Sequence, residues 1–204
     1  MPVPPPVTTA KRSEKESIER CWQANDHNDE METTRHVALL GGINVGGHRV
    51  TMDRLVTIVE ALGHRNVDTV IASGNVLFDA PSDSDDIVLA DSIAAALASA
   101  LGYPVPTYVR ARHELLDVAA TLPFGPIPDG TTHMVAFCRA PLPATLELDH
   151  ASGDLWRVHG RELHWFVPGT LSSSAITLAK LVRLLGQPAT TRNHTMLRKL
   201  APLL

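Results

Sequence analysis

Four glycines fall within seven residues in Leu39-Leu40-Gly41-Gly42-Ile43-Asn44-Val45-Gly46-Gly47, between an apolar run and an amphipathic helix pattern. Glycine reaches positive φ and lets other groups approach the main chain closely. Successive N–H groups at a strand-to-helix turn can cradle a phosphate or carboxylate, and the helix N-terminus adds partial positive charge. Gly42, Gly46 and Gly47 would supply backbone donors there, with Asn44 and Arg49 as side-chain contributors. The spacing is neither a Walker A loop, which ends in Gly-Lys-Ser/Thr, nor a dinucleotide GxGxxG. It specifies no cofactor, and close packing of a helix on a sheet would explain the same glycines.

Two further groups carry possible chemistry. Ser73-Gly74-Asn75 separates two strand patterns, and a turn needing Gly or Asn at positive φ accounts for two of its three residues. A nucleophilic Ser73 would need a neighbouring base, for which His48 and His194 are the candidates. Arg192-Asn193 is expected to open the last helix, with Asn193 as a cap or first-turn residue. A cation there is disfavoured by ~0.3–1 kcal/mol when exposed, so Arg192 should reach either an acid elsewhere in the fold or an anionic ligand. Ten histidines are present, but none forms H-x-x-x-H, H-E-x-x-H or a Cys/His cluster, so no metal site is expected. His159 and His164 flank a hairpin and could face each other. Glu114, Asp117, Asp83, Asp85 and Asp86 read as solvated or helix N-terminal charges, and Trp156, Trp165 and Phe166 as core or lobe-interface residues.

The elements that would position these groups follow from periodicity and punctuation. His36–Ile43 reads as a buried strand. A helix capped by Thr51 follows, with Asp53 in its first turn, Leu55, Ile58, Val59 and Leu62 on one face, and Gly63 as its stop. Residues 67–72 and 76–79 are short strands, Asp86–Leu101 is a helix stopped by Gly102, and Val105–Arg110 is a fourth strand. This β-α-β-β-α-β order is the ferredoxin-like unit. Beyond it come a helix through Leu115, Val118, Ala119 and Leu122 broken by Pro123, a strand over Thr132–Arg139, and a hairpin pairing Asp154–Val158 with Glu162–Val167. A helix through Leu178, Leu181, Val182 and Leu185, ended by Gly186 and Pro188, precedes a last helix bearing Leu197, Leu200, Ala201 and Leu204. No close internal sequence repeat stands out. The expected fold is α+β, with two packed ferredoxin-like lobes, 36–111 and 112–204, whose sheets are mainly antiparallel or mixed. Residues 1–35, Pro-rich and then polar, lack the apolar surface needed to offset ordering entropy and are expected to be a disordered tail.

Composition narrows the function classes. At 204 residues, 44% hydrophobic and 20% charged, this is an ordinary globular chain. No apolar run approaches the ~20 residues that cross a bilayer, and Cys21 and Cys138 match no metal or redox spacing, so free thiols and a cytoplasmic location are expected. Residues 36–162 hold eight Lys/Arg against fifteen Asp/Glu, whereas after Glu162 there are five cations and no acid. Such asymmetry suits an anionic ligand or partner, or pairs the C-terminal cations with the acidic body of the same molecule. With aromatics at 4% and no RNP-like run, a nucleic-acid partner is disfavoured.

Taken together, Leu39–Gly47 with Met52, Ser73-Gly74-Asn75, Leu122-Pro123-Phe124 and Thr190-Thr191-Arg192-Asn193-His194-Thr195-Met196 resemble the motifs of a bacterial family, domain of unknown function 1697. The resemblance spans 36–204 and implies an α+β fold with ferredoxin-like elements; it supplies no substrate. The family's usual arginine before Gly-Ile-Asn is Gly41 here, its glutamine before Ser-Gly-Asn is Ala72, the Trp and Thr of its last motif are His194 and Met196, and a late-strand tyrosine is His164. The sequence thus leads to a small anionic ligand, phosphate- or carboxylate-bearing, held between the lobes by Gly42, Asn44, Gly46, Gly47, Ser73, Asn75, Arg192 and Asn193. A nucleic-acid module using the basic C-terminal segment, or a non-catalytic structural or partner-binding protein, is the alternative. Catalytic residues and cofactor stay unassigned.

Overall fold

The computed structural model describes residues 32–44, 47, 49–70, 74–146, 153–174 and 176–204. The expected tail up to residue 31 lies outside them, as do Gly46, His48, Ala72 and Ser73. Strand β1 (Thr33–Leu40) begins inside the stretch assigned to the tail, because Thr34 and Arg35 pair with Ala80 and Asp79 and the Arg35 guanidinium reaches Asp79 at 3.2 Å. It stops before Ile43, since Gly42 turns left-handed at φ +67°. Helix α1 (Met52–Glu60) is capped by Thr51, whose hydroxyl accepts from the Arg54 amide at 3.3 Å, and it buries Leu55 and Val59. The hairpin β2 (Arg65–Val70) and β3 (Asn75–Pro81) leads to helix α2 (Asp86–Leu101), and β4 (Thr107–Ala111) closes the sheet. Asp85 caps α2 by accepting from the Ile87 and Val88 amides, and left-handed Gly102 ends it. The order is β2-β3-β1-β4 with antiparallel pairing throughout, the ferredoxin-like arrangement that the sequence predicts.

The second lobe repeats that order. Helix α3 (Arg112–Ala120) leads to β5 (Thr132–Cys138), β6 (Leu155–His159), β7 (Glu162–Val167), α4 (Leu178–Leu185), β8 (Ala189–Asn193) and α5 (His194–Leu200). The sheet runs β6-β7-β5-β8, which is the first order with every strand replaced by its counterpart, again antiparallel. Among the described residues no helix joins β5 to β6. Strand β8 replaces what the sequence suggested was the opening of the last helix: Thr190 and Thr191 are β-branched, and the segment pairs with β5 from Ala189 to Asn193.

The duplication extends to individual residues. Val37 pairs with Arg110 and Leu39 with Asn75 in the first sheet; Val135 pairs with Arg192 and Phe137 with Glu162 in the second. Arg110 and Arg192 are therefore counterparts, as are Asn75 and Glu162. A proline precedes each edge strand (Pro106, Pro188), and Leu115, Val118 and Ala119 recur with the same spacing as Leu197, Leu200 and Ala201.

Three cores hold the assembly. Helices α1 and α2 cover one face of the first sheet over Ala38, Leu40, Val76, Phe78 and Val109. Val37, Leu39, Leu77 and Tyr108 on its other face join Val135 and Phe137 of the second sheet and the buried sides of α3 and α5. Helix α4 covers the remaining face, where Trp156 and Trp165 stack at 5.0 Å between ring centres. Both tryptophans are thus core residues, as the sequence suggests.

Candidate functional site

The middle layer brings together the residues that the sequence singled out. Arg192, at the penultimate position of β8, projects from the second lobe into the first and is buried. Its Nε donates to Asn75 Oδ1 at 2.8 Å, and its Nη2 to the Leu40 and Gly74 carbonyls at 2.8 and 3.2 Å. Its Nη1 donates to Thr190 Oγ1 and the Thr191 carbonyl, at 2.9 and 3.0 Å. All five N–H groups of the guanidinium are thus used, and every acceptor is neutral. The acid expected to meet Arg192 is not there: among the described residues no carboxylate pairs with it. Burial accordingly pushes its pKa down to about 10. Asn193 is the α5 cap, its Oδ1 accepting from the Thr195 amide at 2.8 Å.

The glycine loop starts at the carbonyl that Arg192 holds. The Leu40 amide donates to the Gly74 carbonyl at 2.8 Å and the Gly41 amide to Pro106 at 2.7 Å, which fix the loop's root. Beyond it φ alternates in sign: Gly42 and Asn44 are left-handed at +67° and +57°, while Gly41 and Ile43 are not. Such alternation turns consecutive amides toward one concavity. Among the described residues the Gly42 and Ile43 amides have no acceptor. Asn44 spans the loop, its Oδ1 accepting from the Val50 amide at 2.7 Å. Gly47 is left-handed at +91°, and Arg49 is exposed. The nearest atoms to a Cβ on Gly41 would be those of Pro106 and Thr190, at 3.4–3.7 Å, which is ordinary contact, so this position is not glycine for want of space.

Gly74 is the opposite case. It lies at φ +77°, and a Cβ there would stand 2.5 Å from Ile43 Cγ2 and 3.1 Å from Leu40 Cβ. The loop and hairpin therefore press against each other at a point that only glycine fits. Gly74→Ala should lower stability by about 2–4 kcal/mol, combining left-handed strain with overpacking, read as a lower urea midpoint at unchanged m-value. A loss under about 0.5 kcal/mol, typical of an uninvolved surface site, would show that the two segments are not in contact.

The counterpart junction has the same geometry, but its arginine is neutralised by a carboxylate. Arg110 Nε donates to Glu162 Oε1 at 2.6 Å, Nη2 to the Cys138 carbonyl at 2.7 Å, and Nη1 to the preceding Val109 carbonyl at 2.7 Å. These match, one for one, the bonds of Arg192 to Asn75, Leu40 and Thr191. Beside it Arg161, the counterpart of Gly74, bridges Asp86 at 2.8 Å and Glu114. Glu114 Oε2 also accepts from the Ala111 amide at 3.1 Å, one half of a capping box whose other half alanine cannot make. Asp86 and Glu114, expected as solvated or helix N-terminal charges, do lie in the first turns of α2 and α3 and are also members of this ion cluster. Burial, then the nearby Glu114 carboxyl, holds Asp86 above its ordinary value. Burial opposes charge on Glu114 too, but bonding to Asp86 and Arg161 outweighs it and lowers its pKa. At the Arg192 junction Glu162 is replaced by Asn75 and Glu114 by Met196, whose sulfur lies 3.6 Å from Asn75 Nδ2.

A second polar cluster was not foreseen. His133, His164 and His194 are all buried; His133 Nε2 and His164 Nδ1 are 3.0 Å apart, and His133 stacks on His194 at 4.3 Å and 9°. Burial, then the neighbouring imidazole of His194, lowers His133 to about 4; burial, then His133, His194 and His159, lowers His164 to about 3. Burial and Arg198 lower His194 as well, against the carbonyls of Thr121, Ala119 and Val118. His164 faces His133 and its ring also lies 6.3 Å from that of exposed His159, which pairs with Asp117 at 3.4 Å. Among the described residues no group of three His, Cys, Asp or Glu is placed to hold a metal ion. His194 is committed to this stack. Cys138 is a free, buried thiol that burial pushes up to about 11.

These observations define a class: two ferredoxin-like halves, clamped by reciprocal arginines, one junction neutral and the other cationic. The chain belongs to the family described as protein of unknown function (DUF1697), which matches residues 33–164. The conserved bacterial protein SP0830 from Streptococcus pneumoniae is similar in structure, with a TM-score of 0.64 at 21% identity, covering 84% of this chain and 99% of that one. That likeness supports the two-lobe fold. No curated protein matches. Among the described residues no helix is long and apolar enough to cross a membrane.

Proposed function

We propose that the protein binds a small anionic ligand, bearing a carboxylate or phosphate, at the glycine loop over the Arg192 junction. The observation that carries this reading is the uncompensated guanidinium. Burying a charge without a countercharge is costly, and the counterpart arginine avoids that cost with Glu162. The cationic junction lies against the glycine loop, where the Gly42 and Ile43 amides are available as donors. An anion seated there would be held by backbone N–H groups and by the field of Arg192, without displacing that side chain's own bonds. Gly42 and Asn44 shape the loop; Asn75 and Arg192 supply the charge balance.

A purely structural clamp is the second reading, favoured by the full use of the five Arg192 donors. The nucleic-acid reading has less support, because both faces of each sheet are covered by helices or by the other lobe. Thermal unfolding of the full chain with a panel of carboxylates, phosphorylated metabolites and nucleotides tests the proposal. A ligand at ten times its Kd should raise Tm by about 3–5 °C. A folded protein unmoved by every anion at matched ionic strength would leave the structural clamp standing alone.

A further inference from the structure

We infer that Asn75 determines the charge of the ligand, and that the site takes a singly charged carboxylate in preference to phosphate. This rests on the anion-binding reading above. The warrant is the internal comparison: the same arginine, in the same strand position and with the same three bonds, meets a carboxylate in one junction and an amide in the other. The amide keeps the hydrogen bond to the guanidinium and removes the negative charge. Beside the neutral junction, where Asp86 and Glu114 share Arg161, Glu114 is replaced by uncharged Met196 and cationic Arg161 by Gly74, so that Arg192 alone carries charge here. The vacant balance is therefore one positive charge, which one monoanion neutralises.

The donors point the same way. A carboxylate has two oxygens, and the Gly42 and Ile43 amides are two adjacent donors. A phosphate dianion carries a second charge and a third oxygen, for which Arg192 has no N–H left. An acid installed at either substituted position should refill the site from within the protein. Asn75→Asp places the carboxylate on Arg192 Nε, and Met196→Glu restores the first-turn acid that α3 carries at Glu114.

The test compares acetate and inorganic phosphate as probes, at equal ionic strength in chloride, on wild type, Asn75→Asp and Met196→Glu. Wild type should gain several degrees of Tm with acetate and less with phosphate, while both variants lose the acetate shift. If neither anion moves wild type, the anion-binding reading itself fails. A larger shift with phosphate would overturn the carboxylate assignment and leave that reading intact. An acetate shift that persists in a folded Asn75→Asp or Met196→Glu protein would remove Asn75 as the charge determinant. Should one variant not fold, the other, together with the acetate–phosphate ranking in wild type, still decides.

Discussion

Arg192→Ala should cost about 3–5 kcal/mol, the range for removing one member of a buried charged network. The substitution leaves Asn75 Oδ1, Thr190 Oγ1 and the Leu40, Gly74 and Thr191 carbonyls to find other donors, in a layer with little access for water. For a chain of this size the loss corresponds to a fall in Tm of about 10 °C. Arg192→Lys should recover little of it, since an ammonium offers three donors from one point and cannot serve acceptors arranged around a planar fork. Urea unfolding of the three proteins measures this directly. A lysine variant as stable as wild type would mean that the charge alone, and not the five-bond geometry, holds the lobes together.

The second large effect concerns acid. His133 and His164 sit near pKa 4 and 3 in the folded chain and near 6.5 when unfolded. The unfolded state therefore binds the additional protons, so the contribution to stability is complete above pH 6.5 and declines as pH falls from there toward 3–4. Each ring kept neutral at pH 4 forfeits about 3 kcal/mol, and the two overlap because part of each shift is the neighbour's charge. Arg198 on α5 and exposed His159 add to the repulsion felt by a protonated ring. Urea midpoints taken between pH 7 and 4.5 should fall steeply for wild type and less so for His164→Leu. Parallel slopes for the two proteins would place the acid sensitivity elsewhere, for example in the Asp86–Glu114–Arg161 cluster.

Much of the local structure was legible because its signals are short-range. Thr51 caps α1, Asp86–Leu101 spans the helix expected of it, and Gly102 ends that helix in the left-handed conformation. Strand β8 was missed because its five residues carry no alternation strong enough to compete with the helical period that follows. The duplication was hidden for a different reason. Val37 and Val135 are 98 residues apart, Asn75 and Glu162 87, and Arg110 and Arg192 82. Unequal connections leave no fixed period to find. The recurring Pro-x₃-Arg-x₄-Leu-x₂-Val/Leu-Ala pattern, at Pro106–Ala119 and Pro188–Ala201, was the one trace available.

The site was half legible. Sequence pattern selected the glycine loop, the hairpin turn and Arg192, and the fold brings Leu40, Gly74, Asn75 and Arg192 into direct contact. It could not reveal that the expected acid is absent, since that depends on which side chains meet across 117 residues. Gly46 and Ser73 lie outside the described residues, and Asn193 is occupied as a cap. The histidine cluster escaped notice because its members come from three separate elements and share no spacing.

The reciprocity of the arginines also bears on how the chain reaches its native state. Arg192 closes on Leu40, made 152 residues earlier, and Arg110 closes on Glu162, made 52 residues later. Neither arginine junction is completed by the residues of one half alone. The N-terminal sheet lacks its fastener until Arg192, 152 residues after Leu40, is in place. Nucleation within either half should thus be quick and final locking slow, with both halves melting in a single cooperative event.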